Sequence, residues 1–159
     1  MTTDPADPAD PACDRPLDPV DALVQLSFLV QGVLSAIGSE HDLSIIQIRL
    51  LGILRDRRAG MVELATYLGL DKSSMTGLVG RAEKRGLVKR SPSPHDGRAV
   101  LVSLTPDGER LTERAGAEIA RRVAGLTERL SPAERDELTR LATVLLDGTV
   151  SQAAWARRH

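Results

Sequence analysis

Between Asp71 and Thr105 the chain reads DKSSMTGLVGRAEKRGLVKRSPSPHDGRAVLVSLT, and no other stretch restricts the possible folds as much. Met75, Leu78, Val79 and Ala82 recur at i, i+3, i+4 and i+7, the spacing of one apolar helix face. The opposite face carries Lys72, Ser73, Thr76, Gly77, Gly80 and Arg81, which are small, polar or basic throughout. A helix with such a face can enter a DNA major groove, where short side chains let the backbone approach phosphates and base edges. Gly86 stops the helix. Residues 88–91 and 99–104 then read as strands enclosing a tip with His95 and Arg98. The expected unit is a helix-turn-helix followed by a β-wing, and the expected partner is double-stranded DNA.

A net charge of −1 over 159 residues hides the distribution that matters. Residues 1–43 hold one Arg against eight acids, whereas residues 71–98 hold seven Lys/Arg against Asp71, Glu83 and Asp96. A local basic patch is the electrostatic footprint of a nucleic-acid site. One Phe, one Tyr and one Trp leave the core to Leu, Val, Ile and Ala, which favours helix packing. The expected fold class is therefore mostly α, a winged helix-turn-helix with a two-stranded wing and an all-helical dimerisation region. The length suits a single domain.

Residues 1–19 repeat Asp-Pro-Ala with Pro at 5, 8 and 11, and read as a disordered acidic tail. A helix is expected from Asp18 to Gly38, so apolar around its circumference that a small chain alone could not bury it; a subunit interface follows. Its polar interruptions (Asp21, Gln25, Ser27, Gln31) read as too many, and its length as too short, for a membrane span. Ser44 to Gln47 fits a capping box opening a second helix with Ile45, Ile48, Leu51, Gly52 and Leu54 inward. A third, over about 62–69, would bury Val62, Leu64, Ala65 and Leu68, and Asp71 caps the recognition helix. Thr105-Pro106 opens a long helix whose stripe runs Leu111, Ala115, Ile119, Val123, Leu126 and Leu130. Ser131 to Glu134 is another capping box, opening a last helix with Leu138, Leu141, Ala142, Leu145 and Leu146 inward, and ending near Gly148 before a polar tail over 148–159. The division expected is a lobe for DNA over 44–104 and dimerisation helices over 20–38 and 106–147.

Taken in order, Leu43-Ser-Ile-Ile-Gln47, Glu63-Leu-Ala65, Leu70-Asp-Lys-Ser-Ser74, Gly86-Leu-Val88, Asp96-Gly-Arg98 and Leu104-Thr-Pro-Asp-Gly108 resemble the signature of the MarR family of multiple-antibiotic-resistance-type regulators. The likeness covers about residues 20–147. It implies a homodimer of winged-helix subunits, interlocked through first and last helices, whose recognition helices read a palindrome. It implies DNA contacts from Lys72, Ser73, Ser74 and Thr76, a minor-groove contact from Arg98, and an ion pair by which Asp96 orients the wing. Gly77, Arg81, Lys89, Arg90 and His95 complete the expected interface, the wing-strand cations as phosphate contacts. Many relatives carry a basic residue at the position of Gly77 and an acid at that of Gly80. The family also binds small anionic or phenolic ligands near the junction of dimer helices and DNA lobe, where Ser27, Gln31, His41, Gln47 and Arg49 fall.

No Ser/His/Asp, Cys/His or Gly-rich phosphate arrangement supports an enzyme, and no cofactor is expected. His41, His95 and His159 stand apart from one another and from the single cysteine, so no metal site is expected either. Cys13 has no partner for an internal disulfide, and the acidic, Pro-rich N-terminus is unlike a signal peptide; both point to the cytoplasm. Peroxide-sensing relatives place a thiol in the first helix at the position of Ser27, and a hydroxyl forms no sulfenic acid. The expectation is a repressor tuned by a small ligand. The alternatives are a DNA-binding dimer without a ligand and a thiol-responsive regulator acting through Cys13.

Overall fold

The computed structural model describes residues 17–94 and 99–155. The expectations for the tail over 1–16, for Cys13, for His95, Asp96 and Arg98 at the wing tip, and for His159 lie outside those residues.

Six helices and three short strands follow one another as α1 (Pro19–Glu40), α2 (Ile45–Leu54), β1 (Ala59–Gly60), α3 (Met61–Leu68), α4 (Lys72–Lys84), β2 (Val88–Pro92), β3 (Val100–Leu104), α5 (Pro106–Leu126) and α6 (Pro132–Trp155). The mostly helical winged fold expected from the sequence is present. Its starts lie where local chemistry places them. The Asp18 carboxylate accepts from the backbone N–H groups of Val20 and Asp21, and Ser44 and Gln47 form the reciprocal capping box at α2. Thr105 caps α5 with Pro106 in its first turn, and Ser131 exchanges hydrogen bonds with Glu134 at the start of α6.

The wing is a three-stranded antiparallel sheet in the order β1-β3-β2, one strand more than the sequence suggested. Ala59 and Gly60 add the third strand by pairing with Val102 and Leu101. Leu50, Leu64, Met75, Leu78, Val79, Val88 and Val102 are all but inaccessible and form one core beneath α2, α3, α4 and the sheet. The inward face expected for α4 is buried in full. Two others are corrected. In α2, Leu50 is buried and Gly52 exposed; in α3, Val62 is 82% exposed while Leu64 and Leu68 go inside.

Two tight joints fix the lobe. Gly69 ends α3 at φ 66°, a left-handed conformation that costs glycine nothing, and its turn launches α4. Gly108 lies so close to the wing that a Cβ there would stand 1.9 Å from the Leu87 carbonyl oxygen. Arg85 clamps the end of α4 to the α1–α2 corner by donating to the carbonyls of His41 and Asp42. Arg122 of α5 joins α1 through Glu40 at 2.7 Å.

The outer helices behave differently. α5 ends at Leu126, so Leu130 leaves the expected stripe; Arg135 of α6 donates to the free carbonyls of Thr127 and Glu128. α6 runs on through Gly148 to Trp155, past its expected end. No residue over 132–147 is buried, and Leu138, Leu141, Val144, Leu145 and Leu146 are exposed. Leu138, Leu141, Leu145 and Leu146 are side chains the sequence placed inward, and with Ala142, which is half-buried, they have no core to enter within one subunit. Along α1, Val20, Leu23, Phe28 and Leu29 are more than half exposed. With 22 residues, α1 is long and apolar enough to cross a membrane, which corrects the expectation that it is too short and too polar. A helix covered by a second subunit passes the same test.

Candidate nucleic-acid interface

α4 owes its outward face to its buried one. Burying Met75, Leu78, Val79 and Ala82 leaves Ser73, Gly77, Gly80 and Lys84 on the opposite side, flanked by Thr76 and Arg81. Ser73, Ser74, Gly77 and Arg81 line one shallow groove with Leu70 and with Ile46 of α2. Lys72 stands apart, at the edge of a more apolar hollow between α3 and α4 with Met61, Val62 and Thr76.

The start of α4 is a closed hydrogen-bond unit. Asp71 Oδ1 accepts from the Ser73 and Ser74 backbone N–H groups at 2.8 and 2.9 Å, and both serine hydroxyls donate to its carboxylate at 2.7 and 2.6 Å. These bonds, led by the two hydroxyls, hold the Asp71 carboxyl well below the usual carboxylate range. The helix N-terminus is thereby occupied by the chain's own anion. Each serine has spent its one proton on Asp71 and offers only lone pairs outward. The Thr76 hydroxyl donates to the Lys72 carbonyl at 2.8 Å and is in the same condition.

Gly77 and Gly80 break the helix-propensity rule without an internal reason. A Cβ at Gly80 would meet nothing within 4 Å, and one at Gly77 would meet only the mobile end of Arg81 at 3.3 Å. Each costs roughly 1 kcal/mol against Ala in a helix interior.

The remaining expected residues are not all gathered here. Arg90 turns to the core side of the sheet, where Glu83 of α4 holds it at 3.0 Å. Lys89, its neighbour on β2, projects from the opposite face beside Ser103 and Arg58. Of the residues considered for a ligand, Ser27 donates to the Val24 carbonyl, and the Gln47 side chain is spent on the Ser44 cap. His41 is the C-cap of α1, and Gln31 and Arg49 are exposed. None of the five lines the cavity of about 300 Å³ between α2 and α5. That cavity is bounded by Ile48, Leu51, Thr112 and Ile119, with Gly52 and Gly116 where side chains would fill it and Arg55 at its edge. The signal was available as two glycines inside apolar helix faces.

The family model described as MarR family matches residues 41–99. An uncharacterized HTH-type transcriptional regulator of Bacillus subtilis, YhbI, is 32% identical over 111 residues, covering 69% of this chain and 72% of its own. The reduced form of MarR from E. coli superposes with a TM-score of 0.71 at 27% identity, over 83% of this chain and 99% of that one. The NadR structure in complex with 4-hydroxyphenylacetate gives a TM-score of 0.68 at 25% identity, over 91% and 97% of the two chains.

Proposed function

The chain belongs to the MarR family, whose members are DNA-binding transcriptional regulators, and on that premise we propose a homodimeric repressor that reads a palindromic operator and is released by a small anionic or phenolic ligand. The observation that carries the reading is the outward face of α4, polar, basic and free of bulky groups over three turns. Ser73 and Ser74, their protons committed to Asp71, accept from exocyclic amino groups of adenine or cytosine in the major groove, and Arg81 donates to guanine or phosphate. Lys72, Thr76 and Lys84 flank this contact. Arg98 enters the minor groove, oriented by Asp96 and accompanied by His95, as the likeness to the family implies.

Dimerisation explains the outer helices. Among the described residues α1 exposes six large apolar side chains and α6 five, a surface that suits a partner subunit. A second copy related by a two-fold axis covers the same surface on each subunit and sets two α4 helices about 34 Å apart, one turn of DNA. The cavity between α2 and α5 lies at the joint between this dimer base and the DNA lobe. It is largely apolar with Arg55 at its rim, which suits an aromatic acid such as the 4-hydroxyphenylacetate held by NadR. A ligand there favours the spacing of α4 helices that no longer matches successive major grooves. A regulator of this kind works in the cytoplasm and needs no membrane or cofactor.

Two measurements test the reading. Sedimentation at micromolar concentration should give a dimer, and Leu145→Asp should give a monomer; a monomeric wild-type chain would refute the assembly. Arg81→Ala and Arg98→Ala should each cost about 1–3 kcal/mol of affinity for selected DNA with an unchanged thermal midpoint. Wild-type affinity in both variants at matched salt removes these residues from the interface.

A further inference from the structure

On the face of the wing sheet opposite α4 lies a polar groove of about 280 Å³ that the contact proposed for α4 leaves unused, although its Lys89 is among the phosphate contacts expected from the sequence. Lys89 and Ser103 are paired across β2 and β3, so their side chains stand side by side on that face. The loop after α2 brings Arg55, Arg57 and Arg58 to the rim, and Glu109 of α5 is the one acid lining it. Two of the cations are engaged. Asp56 holds Arg55 at 3.1 Å, while Arg57 lies over the Tyr67 ring at 5.3 Å and reaches Glu63 at 4.0 Å. Arg58 and Lys89 have no carboxylate within 4.0 Å among the described residues. At the floor, Ser103 is 8% exposed, and its hydroxyl has no hydrogen-bond partner among the described residues.

No buried side-chain polar atom among the described residues lacks a partner, so the Ser103 hydroxyl opens into the groove, where water or a ligand reaches it. An unspent donor beside an unpaired ammonium and an unpaired guanidinium is the donor set that an oxyanion satisfies. With Arg55 and Arg57 held by Asp56 and Glu63, the two cations left, Arg58 and Lys89, can each meet one charge of a dianion, and Glu109 is the one acid lining the groove. The volume, at the lower limit of small-molecule sites, admits a compact ligand. We propose that this groove binds the phosphate group of a small molecule, with Lys89, Arg58 and the Ser103 hydroxyl as its donors. The occupant ties the two wing strands to the loop between α2 and β1, so it acts on the base of the wing without touching α4. The site stands whether or not the cavity between α2 and α5 binds a ligand.

The test is a heteronuclear NMR titration of the full chain with inorganic phosphate, ionic strength held constant with chloride. Saturable shifts at the amides of Arg58, Lys89 and Ser103, with those of Ser73 and Ser74 unmoved, are the expected result. Arg58→Ala and Ser103→Ala should each raise the phosphate Kd roughly tenfold, the loss of one charge-assisted hydrogen bond. A parallel titration in saturating duplex DNA separates the two sources of phosphate. Persistence of the same saturable shifts supports a free ligand. If the duplex alone produces those shifts and phosphate adds nothing, the DNA backbone is the occupant and the proposal is overturned. Shifts that rise linearly without saturation, or an unaltered Kd in both variants, overturn it as well.

Discussion

Gly80→Ala should make the protein more stable and a poorer DNA binder. The two effects have separate origins. In the free subunit a Cβ at position 80 meets nothing within 4 Å, and the backbone there is ordinary α-helix. The methyl group therefore removes a glycine penalty of about 1 kcal/mol without creating a clash. For a chain of this size that raises the thermal midpoint by about 2–4 °C. On DNA the same methyl stands on the outward stripe of Ser73, Gly77 and Gly80, where the proposed contact brings backbone close to the groove. Forcing a methyl group into a filled contact costs about 1–3 kcal/mol, equivalent to a Kd roughly 5- to 150-fold weaker. Thermal unfolding by circular dichroism reads the first arm, and fluorescence anisotropy on a selected duplex at fixed salt reads the second. Gly125→Ala, a helical position in α5 where a Cβ would meet only the Glu128 side chain at 4.0 Å, is the control: it should raise the midpoint and leave DNA affinity alone. Unchanged affinity in Gly80→Ala refutes the close approach, and a lowered midpoint refutes the claim that the space is open.

Gly108→Ala is the opposite case, because its Cβ would meet the Leu87 carbonyl at 1.9 Å; circular dichroism should show a midpoint lowered by many degrees or no folded state. Asp71→Ala should destabilise at neutral pH through loss of the α4 cap. Because the folded carboxyl titrates below its usual range, this contribution is present above the unfolded pKa and is lost as pH falls through the folded one, so wild type and variant should converge in acid in a pH series of melts. Gly116→Val should fill the cavity between α2 and α5 and abolish the thermal shift given by aromatic acids, while DNA affinity measured without ligand stays at the wild-type value. Equal shifts in both proteins would place the ligand elsewhere.

What was legible in the sequence was the part written in local chemistry. The Ser44, Asp71 and Thr105 caps, the Gly69 stop and the four inward residues of α4 each depend on neighbours within a turn or two. β1 was not legible because two residues, Ala59 and Gly60, become a strand only by pairing with Leu101 and Val102 some forty positions later. Val62 faces outward against the sequence expectation because α3 has eight residues, too few for periodicity to fix its phase; it begins at Met61, and one position turns a side chain by about 100°. The Leu138–Leu146 stripe was read as inward, and the single subunit leaves it outside, since apolar pattern specifies burial without saying by which chain. Ser27, Gln31, His41, Gln47 and Arg49 stand out in the sequence by their polarity, whereas a cavity is made by missing atoms, here at Gly52 and Gly116. Lys89 and Arg90 were grouped by charge, and the alternation of β2 sends them to opposite faces of the sheet.

The central claim is that two copies of α4 read successive major grooves from a common dimer. In vitro selection from a random duplex library, followed by determination of the stoichiometry of the selected complex, tests it most directly. Such a dimer should select an inverted repeat with half-site centres about 10 base pairs apart, bind it as two chains per duplex, and lose enrichment when Arg81 is replaced by Ala. Enrichment of a single unrepeated site bound by one chain, or none at all, would contradict it.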